Sequence, residues 1–486
     1  DPDVIRVEDT YYMVSTTMHF MPGCEILQSF DLVHWEHVTY VYETLDHTDA
    51  QQLKSGQNIY GQGMWAASLR YHEGRFYICF VANDTRKTYL YTSEKIDGPW
   101  KKQLIEGFYH DGSLLFDEDG RNYIVYGNDE IWITELNEDL TAPKKDGLHR
   151  LLVSDHKNPE LGYEGSHIQK INGYYYIFLV HSLRDRWMRT EACFYSDSLE
   201  GEFTGGDVLC DDRGYCGQGV AQGGIVDTPD GKWYAMLFQD SGAVGRLPIL
   251  LPVTWKDHFP VFGQNGHVPE EIEVHSTRPG YIYQPLVGSD DFCNGLLPRW
   301  QFNHDPDPRY YHLDALQGTY TITTREVCTE LTQAVNTLTQ RMSYPSCAAE
   351  VTVDASALKE GDVAGLCALQ GCYAAVGITK HHGKYEVLML DKKEDGILDM
   401  TEGTVVESHQ MDFRLEADFC NMKDEARCYY RVNKGDWLPI GTVHKLYFKL
   451  DHFTGCRFGL FCYAAEETGG SACFRDFKYY DVDEIS

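Results

Sequence analysis

The sequence predicts an all-β protein: a five-bladed β-propeller over residues 1–275, a linker over 276–288 and a β-sandwich of jelly-roll type over 289–486. Three observations predict it. A short phrase recurs five times in the first half of the chain. Helical periodicity is nearly absent throughout. After a stretch containing Pro and Gly, the pattern changes to short alternating β segments.

The recurring phrase is an acidic residue or Asn, usually Gly, two variable residues and then Tyr. It reads EDTYYM at Tyr12, EGRFYI at Tyr77, DGRNYI at Tyr123, NGYYYI at Tyr176 and DGKWYA at Tyr234. Each copy is a turn signal followed by an aromatic-rich run, which is a hairpin signature. The intervals are 65, 46, 53 and 58 residues by subtraction of the Tyr numbers. That approaches the size of a four-stranded propeller blade. Later strands rhyme as well: ILQSFDLVHW (26–35), YLYTSEKIDGPW (89–100) and CFYSDSLEGEF (193–203).

The strand ahead of each turn carries the chemistry. Counting back 11 or 12 residues from each Tyr reaches Asp1, Ala66, Asp111, Glu164 and Gln222. Equivalent positions on the innermost strands ring the propeller axis, so Asp1, Asp111 and Glu164 are expected around one mouth of the channel. Their segments, DPDVI, HDGSLLF and YEGSHI, are otherwise mostly apolar or small. Like charges in such surroundings are costly unless they titrate, pair or bind something, and perturbed carboxylates cluster at working sites. Met18, His19 and Phe20 follow the first inner strand and are expected near the same mouth.

Composition narrows the partners. The chain has 486 residues with 42 Lys+Arg against 74 Asp+Glu, a formal charge of -32. Such a surface repels phosphate backbones and anionic lipid, so no nucleic acid and no membrane partner is expected. No apolar run is long enough to cross a bilayer as a helix. The 15 cysteines follow no framework and include no Cys-x-x-Cys pair. They read as reduced thiols of a cytoplasmic protein. The chain starts at Asp1 rather than Met. A free amino group beside the Asp1 carboxylate would hold it strongly acidic, so residues upstream of Asp1 are expected.

The segments resemble glycoside hydrolase family 43, the β-xylosidase and α-L-arabinofuranosidase family, over nearly the whole chain. DPDVIRVEDTYYMVST resembles the block that supplies the general base, and HDGSLLFDEDG the block whose Asp orients the acid and tunes its pKa. YEGSHIQKINGYYY resembles the block with the general acid, GRLPILLPVTW the block whose Arg binds sugar hydroxyls, and GMWAASLRY the Trp block that walls the first subsite. The resemblance puts these roles on Asp1, Asp111, Glu164, Arg246 and Trp65. It implies an inverting reaction, with Asp1 ionised to activate water, Glu164 protonated to release the leaving alcohol, and about 6.5–9.5 Å between their carboxyls. The negative field of Asp111 would raise the Glu164 pKa.

Two positions depart from the family blocks, Ser166 and Ala67 standing where Pro is usual. Gln222 falls where some relatives carry a His that supports a central metal. No required cofactor is expected, although a Gln carbonyl leaves room for a structural calcium at the propeller hub. The second half, with CAAEVTVDA, YAAVGITK, YEVLMLD and CRFGLFCYA, resembles the concanavalin-like sandwich attached to family 43 β-xylosidases. In those relatives a sandwich loop closes the mouth with an aromatic residue, which matches Phe453 here. The implied function is exo release of a terminal pentose, arabinofuranose or xylose, from hemicellulose-derived oligosaccharides. A homo-oligomer is compatible with this. Two rival readings are a carbohydrate-binding propeller without turnover and a retaining fructosidase-like hydrolase. The three acids argue against the first, and the missing Asn-Asp-Pro-Asn, Arg-Asp-Pro and Glu-Cys signatures against the second.

Overall fold

The computed structural model describes residues 1–481. Five four-stranded antiparallel sheets follow one another in sequence order, with inner strands Asp3–Val7, Met64–His72, Ser113–Phe116, Glu164–Ile171 and Ala221–Asp227. Helix is limited to four short 3₁₀ turns among the described residues. Blades I to V are thus the five repeats. The recurring Tyr begins or lies near the start of each second strand, and Tyr12, Tyr77, Tyr123, Tyr176 and Tyr234 pair with Ile5, Arg70, Leu115, Gln169 and Val226 of the inner strand.

Each blade is built from its own strands, so the ring is not closed by strand exchange. It is closed by Arg6 of blade I, whose Nη2 lies 2.5 Å from Asp227 Oδ2 of blade V. Apolar packing of Val4 and Met13 with Val226, Tyr234 and Met236 completes the joint.

Polar side chains at one row tie the inner strands of blades I to IV together. Asp3, Ser68, Ser113, His167 and Gly224 each pair with the residue two after the recurring Tyr: Val14, Cys79, Val125, Phe178 and Met236. They are therefore register equivalents. The Leu69 N–H donates to Asp3 Oδ2 at 2.7 Å, the Leu114 N–H to Ser68 Oγ at 3.1 Å and the Ile168 N–H to Ser113 Oγ at 3.0 Å. Asp3, Ser68 and Ser113 thus each satisfy a buried backbone donor of the next blade, which an apolar residue would leave orphaned, and His167 Nδ1 lies 3.2 Å from Asp3 Oδ1.

The same register corrects one equivalence. Glu164 pairs with Val180 and Ala221 with Phe238, each four residues after the recurring Tyr, so Glu164 keeps its expected row and Ala221, not Gln222, is its counterpart in blade V. The turn ahead of the recurring Tyr is a residue longer in blades III and V, which the count of 11 or 12 concealed. Blades II, IV and V also carry a bulge at this point, between Met64 and Ala67, Glu164 and His167, and Ala221 and Gly224. Bulges re-aim side chains at sheet ends, here at the channel mouth.

The second domain is a sandwich of a nine-stranded and a seven-stranded sheet. Its core holds Phe292, Trp300, Leu338, Phe413, Phe458 and Phe474. The domain boundary is not clean. The two-residue strand Phe20–Met21 leaves blade I and pairs with Gln301–Asn303, becoming the edge of the larger sandwich sheet. The 276–288 segment is a strap rather than a loose linker. The Thr277 N–H donates to Phe30 O at 2.7 Å, the Phe30 N–H to Tyr283 Oη at 2.8 Å, and Arg278 Nε to Asp9 Oδ2 at 2.8 Å.

Candidate active site

The three acids gather at one mouth of the propeller. Asp1 precedes the first inner strand of blade I. Its Oδ1 lies 2.5 Å from Arg246 Nη1, and its Oδ2 accepts from the Thr16 hydroxyl. Arg246 begins the third strand of blade V, and its Nε lies 3.2 Å from Asp240 Oδ1. Asp240 also binds Arg189 of blade IV. Charges of alternating sign therefore run Asp1, Arg246, Asp240, Arg189 across two blades. Both guanidiniums pack on Phe238, with Arg246 Cζ 4.4 Å and Arg189 Cζ 5.3 Å from its ring centre. Such buried ions persist only because each has a partner.

Asp111 and Glu164 form a second group around His110. His110 Nε2 lies 3.5 Å from Asp111 Oδ2 and 3.4 Å from Glu164 Oε2. Asn128 donates to Glu164 Oε2 at 2.8 Å, and the Gly165 N–H donates to Asp111 Oδ2 at 3.0 Å. Gly165 has φ +66°, and a Cβ there would meet Gln222 Cγ at 2.6 Å. The glycine thus lets the acid-bearing bulge approach blade V.

These contacts set the electrostatics. The Asp111 charge, opposed by burial and reinforced by Glu164, pushes the His110 imidazole up to about 9. Burial raises the Asp111 carboxyl, against the pull of His110. Burial also presses Glu164 upward, but the His110 hydrogen bond and charge, with Arg189 and Arg246, outweigh it and hold Glu164 low. The expected simple field of Asp111 on Glu164 is therefore corrected, because an imidazolium stands between the two carboxylates. The three groups titrate as a unit whose proton rests on the His110 side.

The walls come from both domains. Trp65 sits in the blade II bulge, its ring edge-on to Phe453 at 5.4 Å and 6.2 Å from His110. Phe453, from the sandwich, faces Arg246 Cζ at 4.3 Å. A Cβ at Gly455 would meet Val244 O at 2.1 Å, so only glycine lets this loop lie so close to blade V. Met18 is buried, with φ +53°, is bridged to Met64, and its Sδ accepts from Thr454 Oγ1 at 3.4 Å.

His19 and Phe20 are not at the mouth. His19 is fully buried against Phe20, Tyr60, His304 and His452 between the domains. Phe20 lies under the Arg457 guanidinium, 3.6 Å from ring centre to Cζ, within the sandwich core. The physical reason is the short Phe20–Met21 strand, which carries the chain out of the propeller and into the neighbouring sheet. Residues that sequence reasoning passed over are Thr16, His110, Asn128, Arg189 and Asp240. His110 alone had a visible signal, its place beside an acid in HDGS.

At the hub, Glu191 Oε2 accepts from the Gln222 N–H at 2.7 Å, while the buried Oε1 has no hydrogen-bond partner. A free, buried carboxylate oxygen suits a hard cation such as calcium. A separate cavity of about 410 Å³ opens at the opposite mouth, lined by Arg6, Arg70, His72, Lys170 and Trp233. None of the three acids reaches it. All fifteen cysteines are free thiols.

A five-bladed propeller with three carboxylates, an arginine clamp and aromatic walls at one mouth defines a glycoside hydrolase. The sequence profile of glycosyl hydrolases family 43 matches residues 1–260, and that of the β-xylosidase C-terminal concanavalin A-like domain matches residues 289–480. The chain belongs to glycosyl hydrolase family 43. It is 26% identical to a β-xylosidase of Formosa agariphila, over 99% of this chain and 87% of that one. A non-reducing end α-L-arabinofuranosidase of Bacteroides ovatus is 25% identical over 65% of this chain and 62% of its own. A bifunctional GH43-CE protein of Bacteroides eggerthii superposes with a TM-score of 0.92 at 42% identity. That match covers the whole of this chain but 62% of the bifunctional one.

Proposed function

We propose that the protein is an inverting exo-glycosidase that releases a terminal pentose, β-D-xylose or α-L-arabinofuranose, from an oligosaccharide. The observation that carries this reading is the division of the acids into two unlike environments. Asp1 faces the Arg246 guanidinium and accepts from the Thr16 hydroxyl, which suits an ionised base. Glu164 sits against the His110 imidazole, whose charge holds the carboxyl low but which keeps a proton within reach of it, so the acid acts as a pair with His110. In one turnover water attacks the anomeric carbon and gives its proton to Asp1, while Glu164 protonates the departing glycosidic oxygen. His110 Nε2 can refill Glu164 from 3.4 Å. Arg246 keeps Asp1 oriented, and its remaining N–H groups suit vicinal hydroxyls.

Phe453 and Trp65 narrow the mouth, which supports exo action on a chain end. Glu191 and Gln222 would hold a calcium ion, whose charge would steady the hub between blades IV and V. The experiment is hydrolysis of nitrophenyl β-D-xyloside and α-L-arabinofuranoside with the anomer followed by NMR. Release with inversion is expected. A retained anomer, or binding without release, would sink the reading.

A further inference from the structure

Trp187 is the only one of the nine tryptophans that is exposed, at 42%. Exposure of one apolar side chain is ordinary; what singles out Trp187 is where it stands and how it is held. Three features define what this face could receive.

The first is position. Within blade IV, Glu164 pairs with Val180, and Val180 pairs with Glu191 on the next strand. The row therefore runs straight across the blade from the acid. Two residues further along the second strand, Ser182 pairs with Arg189, and the loop between them carries Trp187. Trp187 thus stands at the end of the blade that presents the acid, not the base. The group protonated by Glu164 departs on this side, so a ring bound here belongs to the leaving group.

The second is rigidity. The loop is closed by the Leu183 N–H donating to Met188 O at 3.1 Å and the Met188 N–H donating to Ser182 Oγ at 2.8 Å. Arg184 Nη1 donates to Asp155 O at 2.5 Å, and its Nη2 to His156 O at 3.2 Å. Asn158 Nδ2 donates to Ser182 O at 2.7 Å. A platform held this way loses little freedom on binding.

The third is chemistry. Arg189 Cζ lies 5.0 Å from the Trp187 ring centre, and the guanidinium is tied to Asp240. The cation fixes the indole and ties it to the network that ends on Asp1. The indole offers a flat apolar face, which suits the C–H face of a neutral sugar ring.

We propose that Trp187 is the platform for the leaving-group sugar, so that the enzyme favours a saccharide over a small aglycone. This rests on the pentosidase reading above. The test compares wild type, Trp187→Ala and Trp187→Phe on matched pairs: methyl β-D-xyloside with xylobiose, and methyl α-L-arabinofuranoside with an arabinofuranosyl-xylobiose. Methanol and a sugar alcohol both need the acid, but only the disaccharide and trisaccharide place a ring on Trp187. Trp187→Ala should lower kcat/KM on the longer substrate about tenfold, chiefly through KM, with a loss at least about fivefold smaller on the methyl pentoside. Trp187→Phe should recover most of the loss. Equal losses on both members of a pair, no loss on the longer one, or Phe no better than Ala would overturn the proposal. Wild type that hydrolyses neither pentoside series would instead overturn the pentosidase reading, and this inference would fall with it.

Discussion

Arg246 Nη1 lies 2.5 Å from Asp1 Oδ1, and the same guanidinium is fixed from behind by Asp240 at 3.2 Å. The base is therefore aimed by a charge that is itself aimed by another. Asp240 also separates Arg246 from Arg189, two buried cations that would otherwise repel. Replacing Asp240 with Asn keeps the shape and removes the charge. The variant should lose about tenfold to a hundredfold in kcat/KM on a pentoside and unfold at lower temperature. Steady-state kinetics with a thermal melt checks this; wild-type kcat/KM would show that Arg246 needs no such support.

The Asp111, His110 and Glu164 unit predicts the alkaline limb of activity. His110 is pushed up to about 9, so the unit keeps a proton well above neutrality. The kcat/KM profile should fall only as pH approaches about 9. In His110→Asn the last proton rests on the carboxyls alone, and the limb should move toward neutral pH. The sign for stability is the same. A raised histidine contributes stability in full below its unfolded value of about 6.5 and loses it as pH rises through the folded value. A limb that does not move in His110→Asn would remove His110 from the proton path.

Asp3 predicts where the fold is vulnerable. It is buried and binds Arg70, His167 and the Leu69 N–H. Burial works against its charge, but Arg70 and His167 outweigh it and hold the carboxyl below the usual range. Its contribution is thus present above about pH 3.9 and is lost as pH falls through the lower folded value. Asp3→Ala leaves Arg70 without its partner and should cost about 3–5 kcal/mol in denaturant unfolding. Asp3→Ser, which copies the neighbouring blades, should cost less. Equal melting of Asp3→Ala and wild type would mean that the row of inner side chains does not hold the blades.

Much of this was legible before any coordinates. The five Tyr phrases marked the blades because a turn followed by aromatics has few other uses. The three acids stood out because they interrupt apolar strands. Register was not legible: the turns before the recurring Tyr differ by a residue and three inner strands bulge, and only pairing shows that Ala221, not Gln222, is the blade V counterpart of Glu164. His19 and Phe20 misled because a two-residue strand into another sheet leaves no pattern. Asp240 and Arg189 were silent because a buried ion chain across two blades has no local signature.

The hub oxygens of Glu191 and Gln222 predict a response to chelation. Burial without a compensating charge raises the Glu191 carboxyl well above the usual range. A bound calcium would offset that penalty. Dialysis against EGTA should lower the melting temperature by a few degrees, and added calcium should restore it, while pentoside release at 25 °C persists. Loss of hydrolysis on chelation, restored by the metal, would place the ion in the chemistry instead.

The last prediction separates the two acids by what each supplies. Glu164→Ala removes the proton donor and leaves the water-activating base. The loss should be largest when the leaving group is a sugar alcohol, which departs poorly as an alkoxide. Nitrophenolate is stable without a proton, so the nitrophenyl pentoside should lose less. Asp1→Ala removes activation of the attacking water, which every substrate needs, so both substrates should fall together. General acid–base groups contribute about 10²–10⁴-fold, enough to make the contrast measurable. Azide is a competent nucleophile without a base, so it should partly rescue Asp1→Ala and yield a glycosyl azide of inverted configuration. It should not rescue xylobiose cleavage by Glu164→Ala, because that variant lacks a proton and not a nucleophile. An Asp1→Ala enzyme that stays active, or a Glu164→Ala enzyme that loses both substrates equally, would reverse the assignment of base and acid.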